Sequence, residues 1–341
     1  MRIGFYNYYD VYNKNKMFVS PSSSLGDNLN YFLWDLGENF KSKGHTISTI
    51  DMVNDVSTFD AVIFIDFPTN KNKYFNYLIK NKFENLFLII LEPPMTKNDN
   101  FILENHKYFK KIFTWHDDYI DNKKYFKINY SFKIPQNLYL DLNNKNKLCT
   151  LIACHKYSNN PIELYSERIK AIKWFEKHHP EDFDLYGVGW SKYIYKGILN
   201  NLNKYIILRN VIKNNYSSYK GAILSKHDIL KRYKFSICYE NERSVPGYIT
   251  EKIFDCFFAG NVPVYLGCSN IEKYIPTNLF IDKRNFKTYS ELYNFMKNIT
   301  DEQYEKYIKE IERFLKSENI KIFSSEYFSN VIISEVMKSI L

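Results

Sequence analysis

The 341-residue chain predicts an α/β protein made of two doubly wound units in tandem. Three observations lead there. Strand-like and helix-like segments alternate along the chain, the order that gives a parallel sheet with covering helices. The run Leu86-Phe-Leu-Ile-Ile-Leu91 is continuously apolar, the mark of a strand buried on both faces. The alternation pauses at a polar stretch, Asp141 to Lys147, and then restarts. The length suits two units of about 150 residues each. We place them at residues 1–145 and 146–341, with the last helix packing back on the first unit.

In the first unit Arg2 to Tyr6 reads as a strand. Asp27 to Lys43 carries Leu29, Phe32, Leu33, Leu36 and Phe40 at helical spacing, and Gly44 stops it. Strands are expected at His45–Ile50, Asp60–Ile65, Leu86–Leu91 and Lys111–Trp115, and a helix at Tyr74–Lys82. In the second unit strands are expected at Leu148–Ala153, Phe183–Gly187, Lys234–Tyr239, Val262–Gly267 and Leu279–Asp282. Helices are expected at Ile162–His178, Asp228–Tyr233, Glu251–Ala259, Ser290–Asn298, Asp301–Ser317 and Ser324–Leu341.

Composition narrows the function classes. With 45% hydrophobic and 25% charged residues the chain is a folding sequence, and 11 Gly and 10 Pro exclude collagen-like and Pro-rich architectures. The balance of 47 Lys and Arg against 38 Asp and Glu suits anionic partners: nucleotides, nucleic acid or acidic lipid. The 30 Tyr and 27 Phe, with abundant Asn, Lys and Ile, fit a coding bias, so isolated residues of these types carry no weight. The five cysteines form no CxxC pair and read as reduced, small hydrophobes. No apolar run reaches the ~18 residues of a membrane span, and Met1 to Phe5 lacks a signal-peptide core. The expected location is cytoplasmic, peripheral to a membrane at most.

In doubly wound sheets ligands bind beyond the carboxyl ends of the strands, so chemistry is sought just after strands. The richest segment runs from Tyr233 to Phe280. A strand ends in Tyr239-Glu240-Asn241, Pro246-Gly247 makes a turn, and Thr250 is a plausible N-cap for a helix opened by Glu251-Lys252. A helix N-terminus after a strand is an anion site. Lys252 opposes the helix dipole unless it meets a phosphate, and Glu251 suits a ribose diol. A solvated helix start with both side chains in water is the other reading, and the residues alone leave both open.

The segment resembles the signature of the glycosyltransferase family 10 α1,3/α1,4-fucosyltransferases. The matching residues are Tyr233-Lys234-Phe235, Glu240-Asn241, Tyr248-Ile249-Thr250-Glu251-Lys252 and Val262-Pro263-Val264-Tyr265-Leu266-Gly267. Weaker matches precede it in order: Glu92-Pro93-Pro94, Ser158-Asn159 with Leu164 to Arg168, and Leu185 to Trp190. At the position after Glu92 the family often has Ser, and this chain has Pro93.

The resemblance implies a GT-B architecture, two Rossmann-like domains facing across a cleft, with the acceptor in the first and a GDP-sugar in the second. It implies inverting transfer of L-fucose from GDP-fucose to O3 or O4 of GlcNAc or Glc in a surface glycan. Glu92 is then the base, at the end of an apolar strand that would desolvate it. Arg168 and Lys252 meet the diphosphate, Glu251 the ribose, and Lys226, Glu240, Asn241, Tyr248 and Thr250 belong to the donor site. Glu240 and Asn241 equally suit hydrogen bonds that hold the loop. No His/Cys cluster of metal-ligand spacing is read from the sequence, and Arg168 and Lys252 are available for the diphosphate, so no metal or other cofactor is expected. The basic run Lys192 to Lys234 could rim the cleft, lie on anionic lipid, or simply be solvated. The rival readings are a same-family enzyme using another nucleotide sugar and a non-catalytic basic protein that binds nucleotide or nucleic acid. The absence of a basic–aromatic motif disfavours nucleic acid.

Overall fold

The computed structural model describes residues 1–21, 30–69, 71–135, 145–205, 209 and 214–341. The chain divides into two compact units. The first takes Met1–Ile134, Pro246–Tyr248 and Glu318–Leu341, and the second Pro135–Val245 and Ile249–Ser317. This differs from a division at residue 145. Three residues of the signature loop and the last 24 residues fall in the first unit. Of the proposed linker, 141–144 lie outside the described residues, and Lys147 opens a strand.

The first unit holds a six-stranded sheet of β1 (Arg2–Asn7), β2 (Thr46–Thr49), β3 (Ala61–Ile65), β4 (Leu86–Ile90), β5 (Lys111–Thr114) and β6 (Tyr125–Lys127), in the order β2-β1-β3-β4-β5-β6. Every pairing is parallel. All residues of β3 and β4 are buried, as a strand covered on both faces requires. Helix α1 (Tyr31–Ser42) is shorter than expected, and 27–29 lie outside the described residues. Helix α2 (Lys73–Lys80) ends two residues early, and Lys82 beyond it has φ +55°, which no helix accommodates. Strand β6 has no counterpart in the sequence reading. At three residues it is too short to show a period.

The second unit holds β7 (Lys147–Ile152), β8 (Phe183–Tyr186), β9 (Tyr233–Tyr239), β10 (Val262–Leu266) and β11 (Ile281–Asp282) in the order β11-β10-β9-β7-β8, again all parallel. Its helices are α3 (Tyr165–His178), α4 (Lys226–Leu230), α5 (Glu251–Phe258), α6 (Tyr289–Asn298) and α7 (Asp301–Leu315). Relabelled from its own first strand, this sheet has the order 2-1-3-4-5, which the first sheet shares before adding β6 at its edge. Chain order reverses between β1 and β3 in one sheet and between β7 and β9 in the other, and such switch points are where open parallel sheets bind ligands.

Helix α8 (Ser325–Ile340) belongs to the first unit. Its Phe328, Ile332, Ile333 and Val336 meet Phe32, Leu33, Leu36 and Phe40 of α1 in one core with β1, β3 and β4. The rings of Phe32 and Phe328 meet edge to face at 5.1 Å. Lys111 on β5 pairs with Glu335 at 2.7 Å. No helix among the described residues is long and apolar enough to cross a membrane.

Ile332 is fully buried in this core. Ile332→Ala should therefore destabilise the protein by about 2–5 kcal/mol, read as a lower urea midpoint. An unchanged midpoint would mean that α8 contributes no core.

Candidate active site

In the second unit, β9 delivers Glu240 at its carboxyl end. The side chain is completely buried. Its Oε1 accepts from the Thr250 backbone N–H at 2.8 Å, and its Oε2 accepts from the Thr250 hydroxyl at 2.7 Å and Lys252 Nζ at 3.1 Å. The carboxylate thus holds the first turn of α5. A Cβ on Gly267, at the end of β10, would lie 2.5 Å from Glu240 Cγ, so glycine is needed there for the carboxylate to fit. Thr250 sits at the N-cap in extended backbone, but its hydroxyl makes no capping bond to α5. It donates to Glu240 and accepts from Lys252 at 2.9 Å.

Arg168, on α3, is buried. Its Nη2 donates to the carbonyls of Tyr239 at 2.6 Å and Glu240 at 2.8 Å and to Asn241 Oδ1 at 3.1 Å. Two-pronged binding of a diphosphate by both Nη atoms would require these bonds to break. Asn241 is further fixed by its carbonyl, which accepts from the Leu164 N–H at 2.9 Å.

Lys226, at the start of α4, pairs with Asp255 at 2.7 Å and lies 3.6 Å from Glu251. Lys252 also lies 3.6 Å from Glu251. Burial alone would raise the Glu251 carboxyl, but the charges of Lys252 and Lys226 outweigh it and hold the group near 2. Burial lifts Asp255 to about 6 against the pull of Lys226. For both lysines burial works against the charge, yet their carboxylate partners win and both pKa values rise. Asp255 escaped the sequence reading. Its signal is helical spacing, since it lies one turn on from Glu251 and shares its face.

The structure therefore gathers Arg168, Lys226, Glu240, Asn241, Thr250, Glu251 and Lys252 at the β7/β9 switch point, with Asp255 added. Tyr248 and Glu92 are placed in the first unit. Tyr248 is buried there, 4.9 Å ring to ring from Trp115. Gly247 before it has φ +79°, and a Cβ would lie 2.2 Å from the Trp115 carbonyl oxygen. Of the basic run, Lys220, Lys231 and Lys234 pair with Asp184, Asp228 and Asp301, and Lys213 lies outside the described residues.

In the first sheet, one strand beyond the switch point, Glu92 follows β4. Its Oε1 accepts from the hydroxyl of Tyr9, which follows β1, at 2.7 Å. Sequence reading missed Tyr9, since a Tyr among 30 gives no signal, and Asp66, which ends β3 as Glu92 ends β4.

One described group has metal-like spacing, His179, Glu181 and Asp182. It precedes β8, at the opposite end of the strand from the site, and Asp182 is held by Tyr293 and Lys297 at 2.7 Å each.

Two all-parallel sheets that share the order 2-1-3-4-5 define the GT-B class of two Rossmann-like domains. A crystal structure of an alpha1,3-fucosyltransferase with GDP-fucose resembles all of this chain over 90% of its own length, with TM-score 0.54 and 15% identity. Anabaena HepE in complex with UDP-glucose matches 99% of this chain and 100% of its own, with TM-score 0.56 and 12% identity. At these identities the likeness concerns the fold. The family model "Glycosyltransferase family 10 (fucosyltransferase) C-term" matches residues 142–323, more than half the chain. The chain belongs to glycosyltransferase family 10. The alpha-(1,3)-fucosyltransferase FucT of Helicobacter pylori is 33% identical over 75 residues, which are 22% of this chain and 16% of that protein's length. This chain thus aligns with under a fifth of that relative.

Because the Glu251 carboxyl is held near 2 against an ordinary 4.5, its contribution to stability is present above pH 4.5 and is lost as pH falls toward 2. Glu251→Gln should remove about 3 kcal/mol at pH 7 and flatten the loss of stability between pH 4.5 and 2, followed by urea unfolding across pH. Parallel pH curves for the two proteins would return Glu251 to a solvated helix start.

Proposed function

We propose that this chain is an inverting, metal-independent fucosyltransferase that moves L-fucose from GDP-fucose to O3 or O4 of GlcNAc or Glc in a surface glycan. The observation that carries this reading is the Thr250-Glu251-Lys252 turn at the β9 switch point, inside the stretch that matches the family. The N–H groups of α5 and Lys252 suit the diphosphate, and Glu251 suits the ribose hydroxyls. Their carboxylate and lysine partners hold these charges in place before the donor arrives, so little reorganisation is needed. Arg168 then acts by fixing the end of β9.

In the transfer, Glu92 takes the proton of the acceptor hydroxyl as that oxygen attacks fucose C1. The bond from C1 to the β-phosphate oxygen breaks on the opposite face, and its electron pair leaves with GDP. Lys252 stabilises the charge that develops there. The reading includes a cytoplasmic location with peripheral membrane contact, supported only by the basic excess. A second reading, another nucleotide sugar on the same residues, is favoured by the equal fold likeness to a UDP-glucose complex.

Thermal shift in EDTA separates the two. GDP at about 100 times its dissociation constant should stabilise by ~2.7 kcal/mol, well beyond UDP or ADP at the same concentration. Equal shifts would remove guanine from the assignment, and a shift that needs Mg²⁺ or Mn²⁺ would remove metal independence. Glu92→Gln should lower kcat by ~10²–10⁴ while GDP binding stays. Retained turnover would mean a different base.

A further inference from the structure

Asp66 is a buried carboxylate with no part in the chemistry above. It directly follows β3, is 2% exposed, and has left-handed backbone with φ +60°. A non-glycine residue rarely adopts that backbone without a purpose. Here it turns the side chain toward the end of β4. A single oxygen, Oδ1, accepts from the Leu91 N–H at 2.8 Å, the Glu92 N–H at 3.0 Å and Asn100 Nδ2 at 2.7 Å.

The peptide units before and after Glu92 are also held through their carbonyls. The Leu91 carbonyl accepts from Trp115 Nε1 at 2.8 Å and from the Tyr130 hydroxyl. The Glu92 carbonyl accepts from Asn100 Nδ2 at 3.1 Å, and Asn100 Oδ1 in turn accepts from the Phe67 N–H at 2.7 Å. The peptide planes on both sides of Glu92 are thus fixed, which fixes where its side chain leaves the backbone.

We propose that Asp66 is the positioning residue for Glu92: its buried carboxylate anchors the Leu91 and Glu92 amides and so aims the Glu92 side chain toward the acceptor hydroxyl. This rests on the reading of Glu92 as base. An ionised oxygen accepts several N–H bonds more strongly than a neutral amide oxygen does, which accounts for a carboxylate in so dry a place. Burial, with the charge of Glu92, pushes the Asp66 carboxyl up to about 7. The titratable groups around it are Glu92 after β4, Tyr9 after β1 and, through the Asn100 carbonyl at 2.7 Å, His106 Nε2.

The test uses the full chain with Asp66→Ala and Asp66→Asn, alone and combined with Glu92→Gln. Turnover is measured with GDP-fucose and N-acetyllactosamine, and hydrogen exchange is followed at the Leu91 and Glu92 amides. Asp66→Ala should lower kcat ~10–100-fold with donor KM unchanged, the cost of a misplaced catalytic group. On the Glu92→Gln background it should cost nothing more, because it acts only through Glu92. Asp66→Asn keeps the acceptor oxygen and should rescue most of the loss. Asp66 ionises about pH 7, so the wild-type pH–rate profile should carry an inflection there that the Asn variant lacks. The two amides should exchange faster in the Ala variant and stay protected in the Asn variant.

Wild-type kcat and protected amides in Asp66→Ala would overturn the proposal. So would a loss that multiplies on Glu92→Gln, or an Asn variant as impaired as Ala with raised donor KM. If Ala does not fold, the Asn pH profile decides. If Glu92→Gln itself turns over normally, the base reading fails while amide exchange still decides the Asp66 anchor.

Discussion

The buried carboxylate of Glu240 joins the end of β9 to the start of α5, and the second unit is organised around that junction. A buried carboxylate is costly unless every lone pair is used. Here both oxygens are occupied by the Thr250 amide, the Thr250 hydroxyl and Lys252. The Glu240 carbonyl is occupied by Arg168, so one residue locks three chain segments. Lys252 and Glu251 inherit their positions from this lock. Their charges are then sustained by Lys226 and Asp255 on the neighbouring turns, which keeps a dense cluster of opposite charges ionised with little water.

The two units repeat one plan and use it differently. The two sheets share the order 2-1-3-4-5, and each carries an acid just beyond the strands beside its chain reversal. In the second unit that acid faces inward and is wholly consumed by backbone and side-chain donors. In the first, the inward role falls to Asp66, and among the described residues the half-buried Glu92 carboxylate accepts from one tyrosine hydroxyl. The carboxylates after adjacent strands thus differ in use: one oxygen of Asp66 takes three N–H donors, and Glu92 takes a hydroxyl.

Much of this was legible in the sequence where residues form local, periodic patterns. Buried parallel strands announce themselves as apolar runs, and the turn from Tyr239 to Lys252 stood out because strand, turn and helix start follow in a few residues. Strand β6 and the many short 3₁₀ turns gave no such pattern. The partners of the site were also hidden. Asp66, Asn100 and Trp115 meet at Glu92 only through sheet pairing, and a lone Asp or Asn in a chain rich in both says nothing by itself. Thr250 shows the limit most clearly. Its position as N-cap was readable, but a buried carboxylate brought from ten residues upstream competes for its hydroxyl and wins.

The first unit is made from chain segments separated by most of the second. During synthesis its strands emerge early, but the helix that covers Phe32, Leu33, Leu36 and Phe40 of α1 emerges only after residues 135–317. Until then a wide apolar surface has no cover, while residues 135–317 are already complete in sequence apart from the short return through 246–248. Long-range closures of this kind are slow and leave intermediates prone to aggregation. The order of maturation on the ribosome therefore runs opposite to the order of the chain: the later-encoded unit can finish first, and the earlier one waits for its final helix.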